Sequence, residues 1–202
     1  MKLIAGSAIC LTIIISVMSC KTTYKATDFS VNDVNSVTET WPANTKDASN
    51  VLISKFGVPD EVTSSTLIWK NRGVWKKTVL MRNEIPHDFP MPHTDYLMQT
   101  INYKVPVEKY DDLARYDGSV IVERTKGTLS ARCDKEEMNF LALNLAHDII
   151  TGKKTVEEAR DFYAKTAMKF KDGGTDPYTQ QLQFSIPEGD TGYKDVPAKM
   201  MK

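Results

Sequence analysis

The chain has 202 residues, with 26 Lys and Arg against 26 Asp and Glu, three His, three Cys and 41% hydrophobic residues. Balanced charge excludes a general nucleic-acid binder, which needs a basic excess to release counterions. The absence of a 20–50-residue repeat, a heptad or collagen period, or disulfide density excludes solenoids, fibres and disulfide-stapled scaffolds.

Lys2 and the uncharged residues 3–19 have the build of a secretory signal: one positive residue, an apolar run, then small residues. The run falls short of the roughly 20 residues a membrane span needs. At its end, Val17-Met18-Ser19-Cys20 resembles the lipobox of bacterial lipoproteins. That resemblance implies cleavage between Ser19 and Cys20, a diacylglyceryl thioether on Cys20, and an amine acylated by a chain such as palmitate. Several acyl chains anchor a protein stably where one does not. Lys21-Thr22-Thr23 lacks the Asp and the acidic run of other sorting patterns, which implies an outer-membrane lipoprotein facing the periplasm. Residues 20–49 then read as the lipidated N-terminus and a flexible tether, since fifteen of residues 21–49 are Ser, Thr, Asn or Asp.

Residues 50–186 read as a single α+β domain. Asp47 is placed to cap a short helix through Val51, Leu52, Lys55 and Phe56, stopped by Gly57 with Pro59 beyond. Ser65–Lys70 and Val74–Arg82 are expected as strands around Asn71-Arg72-Gly73. A proline-dense loop, 85–92, leads to a third strand over Tyr96–Lys104. Pro106 suits the first turn of a helix running to Tyr116. Ser119–Thr125 and Thr128–Cys133 form a hairpin, and Val120-Ile121-Val122 is β-branched as a buried strand prefers. Asp134-Lys135-Glu136-Glu137 has the capping-box pattern, opening a helix over 135–150. Thr155-Val156-Glu157-Glu158 repeats it, opening a helix to about Lys171. The short link between these two helices implies an antiparallel pair. Gln181–Ile186 alternates as an edge strand, and 187–202 read as a disordered tail. The sum is an antiparallel sheet of hairpins covered by helices, with a C-terminal antiparallel helix pair.

Phe56-Gly57-Val58-Pro59-Asp60-Glu61, followed by Leu67-Ile68-Trp69 and a second strand, resembles the SmpA/OmlA (BamE-like) outer-membrane lipoproteins. The resemblance covers residues 51–82. It implies a helix, a Gly-x-Pro-Asp turn and a Trp-bearing hairpin, and a role in binding envelope partners.

Candidate chemistry concentrates in Pro86-His87-Asp88-Phe89-Pro90-Met91-Pro92-His93-Thr94-Asp95. In polyproline geometry His87 and His93 stand about 19 Å apart, and they share an ion only if the loop doubles back. His93 and Asp95, at i and i+2 of an extended segment, point to one face and make the better local metal pair. Cys133 is the one thiol left after processing and lipidation. It stands before a helix N-terminus, where a thiolate is favoured. Its base would have to be His87 or His93, because His147 lies about 20 Å further along the helix. His147 itself reads as a hydrogen-bonded core residue. Trp75 among Lys70, Arg72, Lys76 and Lys77 makes a basic–aromatic patch suited to headgroups or an acidic partner.

No G-x-G-x-x-G, P-loop, G-x-S-x-G, H-E-x-x-H or C-x-x-C is present, and no cofactor is expected. The first functional expectation is a non-enzymatic interaction or assembly module, anchored in the membrane through Cys20 and facing an envelope protein. The alternative is a periplasmic enzyme or small-ligand binder using His87, His93 and Asp95, with Cys133.

Overall fold

The computed structural model describes residues 29–199. The signal stretch, the lipobox and Cys20 lie outside the described residues. The elements follow in the order α1 (Val31–Thr38), α2 (Ala43–Phe56), β1 (Glu61–Val62), β2 (Thr66–Arg72), β3 (Trp75–His87) and β4 (His93–Asn102). A 3-10 turn over Val107–Lys109 leads into α3 (Tyr110–Tyr116), β5 (Val120–Glu123), β6 (Thr128–Cys133), α4 (Glu136–Ile150), α5 (Val156–Lys171) and α6 (Pro177–Gln180).

All six strands form one antiparallel sheet in the order β1-β2-β3-β4-β6-β5, and with its helices the fold is α+β. Its core follows from register. Leu67, Leu80, Leu97 and Cys133 stand opposite one another in a single row across β2, β3, β4 and β6. The parallel row is Trp69, Thr78, Gln99, Ala131 and Val120. Strand alternation sends both rows to one face, and the helices cover it. Helices α1 and α2 bury Val34, Trp41 and Leu52 against Leu67, Trp69, Leu80 and Leu97. Helices α3, α4 and α5 bury Leu113, Tyr116, Leu141, Leu145, Ile149 and Tyr163 against Ile101, Leu129 and Ala131. The expected capping box at Thr155 is formed, with Glu158 reaching back to the Thr155 amide at 2.8 Å.

Several expectations are corrected. The span read as tether is folded from Ser30 onward, where Ser30 and Asp33 form a capping box on α1. Its hydroxyl-rich composition misleads because Thr38 and Thr45 are buried with their hydroxyls donated to the carbonyls of Val34 (3.1 Å) and Pro42 (3.0 Å). A Thr bonded back to its own helix carries no unpaired polar group into the core. Helix α2 starts four residues before Asp47, from Pro42, whose φ of −53° is already helical. Asp134 does not cap α4, because its carboxylate is held by Lys135 and faces Cys133. Residues 181–186 are irregular rather than a strand. Asn144 of α4 takes the backbone groups a neighbouring strand would use, donating to the carbonyls of Tyr178 (3.0 Å) and Gln181 (2.8 Å) and accepting from the Gln183 amide (2.7 Å). The tail read as disordered lies across the β5–β6 turn. There the Thr191 hydroxyl donates to the Gly127 carbonyl at 2.6 Å, Arg124 pairs with Asp195, and Lys104 sits over the Tyr193 ring.

Among the described residues no helix is long and apolar enough to cross a membrane. Because Trp41 is 5% exposed and its indole donates to the Ser64 carbonyl at 3.1 Å, Trp41→Ala should cost about 3 kcal/mol in urea unfolding. A residue on a free tether would cost nothing.

Candidate functional site

The proline-dense segment is the tip of the β3–β4 hairpin, and it does double back. Strand β3 runs on through Ile85, Pro86 and His87, so that His87 stands directly opposite His93 and Ile85 opposite Asp95. The two imidazole rings are 5.0 Å apart instead of spread along an extended loop. The tip is clamped to α5: the Arg160 guanidinium lies 3.9 Å over the Phe89 ring, and the Tyr163 ring is 5.2 Å from it. The Arg160 side chain is itself held by the carbonyl of Tyr116 at 2.5 Å.

Three further segments close on this tip. Asp95 shares a side of β4 with His93 and is fully buried. Cys133, at the end of β6, brings its Sγ to 3.5 Å from His93 Nε2. The turn between α3 and β5 brings Asp117 and Ser119. His93 Nε2 lies 3.1 Å from Asp95 Oδ1, and His87 Nδ1 lies 3.4 Å from Asp95 Oδ2. The Ser119 hydroxyl donates to Asp95 Oδ2, and Arg132 Nε is 3.6 Å from that oxygen. His87 Nε2 lies 3.6 Å from Asp117 Oδ1, which also accepts the Ser119 amide at 2.7 Å. His93 Nδ1 donates to the Met91 carbonyl at 2.8 Å. A carbonyl only accepts, so this bond assigns a proton to Nδ1. Within this cluster three buried atoms keep no hydrogen-bond partner: His87 Nδ1, Asp95 Oδ1 and Arg132 Nε.

The electrostatics follow from this packing. The Asp95 carboxylate, and behind it the Cys133 sulfur, hold the His93 imidazole up to about 11 despite its burial. Burial pushes the Asp95 carboxyl upward, but His93 and the Ser119 hydroxyl outweigh it and leave the group below its ordinary value. At Asp117 burial prevails and the carboxyl is raised. The Cys133 thiol is also raised by burial, with His93 opposing.

These features decide between chemistries. In a thiol–imidazole–carboxylate relay the thiol and the carboxylate hold opposite ring nitrogens. Here both face Nε2 of His93, and the neighbouring Asp95 carboxylate keeps that ring protonated, so Nε2 is not free to take a proton from Cys133. His87, His93 and Asp95 instead present ligand atoms that all lie within 4.8 Å of one another.

Beside the cluster a cleft of about 470 Å³ opens between the hairpin tip, the start of α4 and α5. His93 and Cys133 line it, its walls include Met91, Met138, Ala167 and Phe170, and Lys135 and Lys171 are its cations. His87, His93, Asp95 and Cys133, singled out in the sequence, are thus brought together. Asp117, Ser119 and Arg132 were missed; a short Asp-Gly-Ser turn carries no signal of what it will face. His147 stays apart, bonded through Nδ1 to the Tyr103 hydroxyl at 2.7 Å and stacked on Phe184 at 4.2 Å; it is hydrogen-bonded as expected, but half-buried at the edge of the core and not inside it. Trp75 makes no surface patch: it is 2% exposed, and its indole donates to Glu136 at 2.5 Å.

Comparisons of the chain with protein-family models, with curated proteins and with solved structures find no match.

The raised His93 and lowered Asp95 make the pair's stabilisation pH-dependent. His93's share is complete below its unfolded value near 6.5 and is lost as pH rises toward about 11. Asp95's share is present above an unfolded value of about 3.9 and is lost as pH falls through its lower folded value. The stability gap between the native chain and Asp95→Asn should therefore be widest between about pH 4 and 6.5. Urea melts at a series of pH values in EDTA check this; a gap that does not vary with pH contradicts the pairing.

Proposed function

We propose that this protein is a membrane-anchored cell-envelope lipoprotein whose α+β domain binds a small ligand in the cleft beside the β3–β4 tip. The observation that carries the reading is the cleft itself: a cavity of about 470 Å³ with a histidine and a cysteine among its lining residues. That volume is in the range of small-molecule sites, which combine apolar walls with a few convergent polar groups. Met91, Met138, Ala167 and Phe170 suit an apolar body. Lys171 forms no ion pair among the described residues and suits an anionic group on the same molecule. The membrane anchor rests on the lipobox and the acyl chains it implies at Cys20, and the outer-membrane placement on the Lys21-Thr22-Thr23 that follows. The assembly-module reading is the weaker one, since the residue it relied on, Trp75, is buried.

Anilinonaphthalene sulfonate, an aromatic body carrying one anion, is a suitable probe. It should bind the folded protein with one-to-one stoichiometry and enhanced fluorescence. Ala167→Trp, which fills the cleft, should abolish this binding, and Lys171→Glu should weaken it several-fold. Binding unaffected by either substitution would sink the cleft reading.

A further inference from the structure

We propose that His87, His93, Asp95 and Cys133 form a site for one divalent transition-metal ion, zinc, bound through His87 Nδ1, His93 Nε2, Asp95 Oδ1 and Cys133 Sγ. The inference rests on the buried atoms of the hairpin tip and not on what the cleft takes.

The spacing fits first. Bonds of about 2.0–2.3 Å place the ligand atoms of a tetrahedral zinc roughly 3.3–3.6 Å apart. The separations here are 3.1 Å between His93 Nε2 and Asp95 Oδ1 and 3.5 Å between His93 Nε2 and Cys133 Sγ; ligand atoms of His87, His93 and Asp95 lie within 4.8 Å of one another, and Cys133 Sγ adjoins that group through His93. Next, of the three orphaned buried atoms in the cluster, two, His87 Nδ1 and Asp95 Oδ1, are proposed ligand atoms. Their neighbours are close, yet these atoms are not aligned as hydrogen bonds, as expected of groups aimed at a common centre. Buried polar atoms without partners are rare in native proteins and call for an occupant.

Each ligand's far side is already held. His93 Nδ1 is fixed on the Met91 carbonyl, Asp95 Oδ2 on the Ser119 hydroxyl, and His87 Nε2 faces Asp117. Outer partners of this kind fix the tautomer and orientation of metal-ligating histidines. Charge also closes: zinc with one carboxylate, one thiolate and two neutral imidazoles is neutral. Binding releases the protons of His93 Nε2 and Cys133 Sγ to solvent. Imidazole and thiolate in a four-ligand set select zinc over the oxygen-seeking magnesium and calcium. The ion has a route in, because His93 and Cys133 line the cleft.

The test uses the full chain in detergent, stripped with EDTA and titrated with zinc against a chromophoric chelator, and in parallel with cobalt(II). The expected result is one equivalent of tightly bound zinc. Cobalt should give the strong visible bands of a tetrahedral site and a near-ultraviolet thiolate charge-transfer band. Cys133→Ser should lose the charge-transfer band. Asp117→Asn, which leaves all four ligands in place but alters the group facing His87 Nε2, should weaken zinc about 10–100-fold with an unchanged circular dichroism spectrum. No stoichiometric zinc, or cobalt bound with weak octahedral bands and no thiolate band, would overturn the site. Titrating anilinonaphthalene sulfonate on the same preparation separates the two readings. Loss of zinc binding with probe binding intact removes the metal site alone, and the reverse removes the cleft alone.

Discussion

A carboxylate removed from water costs several kcal/mol unless charge and hydrogen bonds replace its hydration. Asp95 is fully buried, and the hairpin tip is organised around meeting that cost. Two imidazoles, a hydroxyl and a guanidinium surround it, drawn from β3, β4, the α3–β5 turn and β6. β3 and β4 are neighbours in one hairpin, but the α3–β5 turn and β6 lie well beyond them in sequence. The sheet order brings them together, and the register of β3 on β4 sets which residues meet. A one-residue slip in that register would turn His87 to the other face and leave Asp95 without one of its two imidazoles. Asp95 therefore requires the pairing of β3 with β4 to be unique.

The rest of the molecule supports that pairing from both sides. The row Leu67, Leu80, Leu97 and Cys133 joins the apolar core of the N-terminal helices to the sulfur of the site, with no flexible segment between them. On the far side, Phe89 lies between Arg160 and Tyr163, so the hairpin tip is fixed by α5 rather than left as a mobile end. Core and site thus share residues, which is why the cluster can be at once buried and well defined.

Much of this was legible in the chain. The hairpins announced themselves by glycine turns, and Asn71 and Gly73 do adopt the positive φ that such turns need. The helix pair followed from the period of its apolar residues and the Thr155 capping box. The residue types of the site were also legible, because His and Cys stand out in a chain with only three of each. What escaped was whatever depends on partners distant in sequence. The doubling back of 88–92 is set by register with β4 and by Arg160, neither of which leaves a local mark. The polar span before residue 50 looked unable to fold because composition does not show that Thr38 and Thr45 satisfy their hydroxyls within their own helices. Gln181–Ile186 has strand alternation, but Asn144 had already taken its backbone groups.

The clamp of Phe89 by Arg160 and Tyr163 has a consequence for the order in which the molecule is made. The contacts that build the site span 24 residues from Asp95 to Ser119 and 40 from His93 to Cys133, and the clamp reaches further still. Contacts of such separation form late, after the local hairpins and helices they join. A nascent chain ending before α5 holds both histidines and the thiol but lacks the Arg160 and Tyr163 that clamp the tip. The clamp is therefore among the last features of the site to be completed.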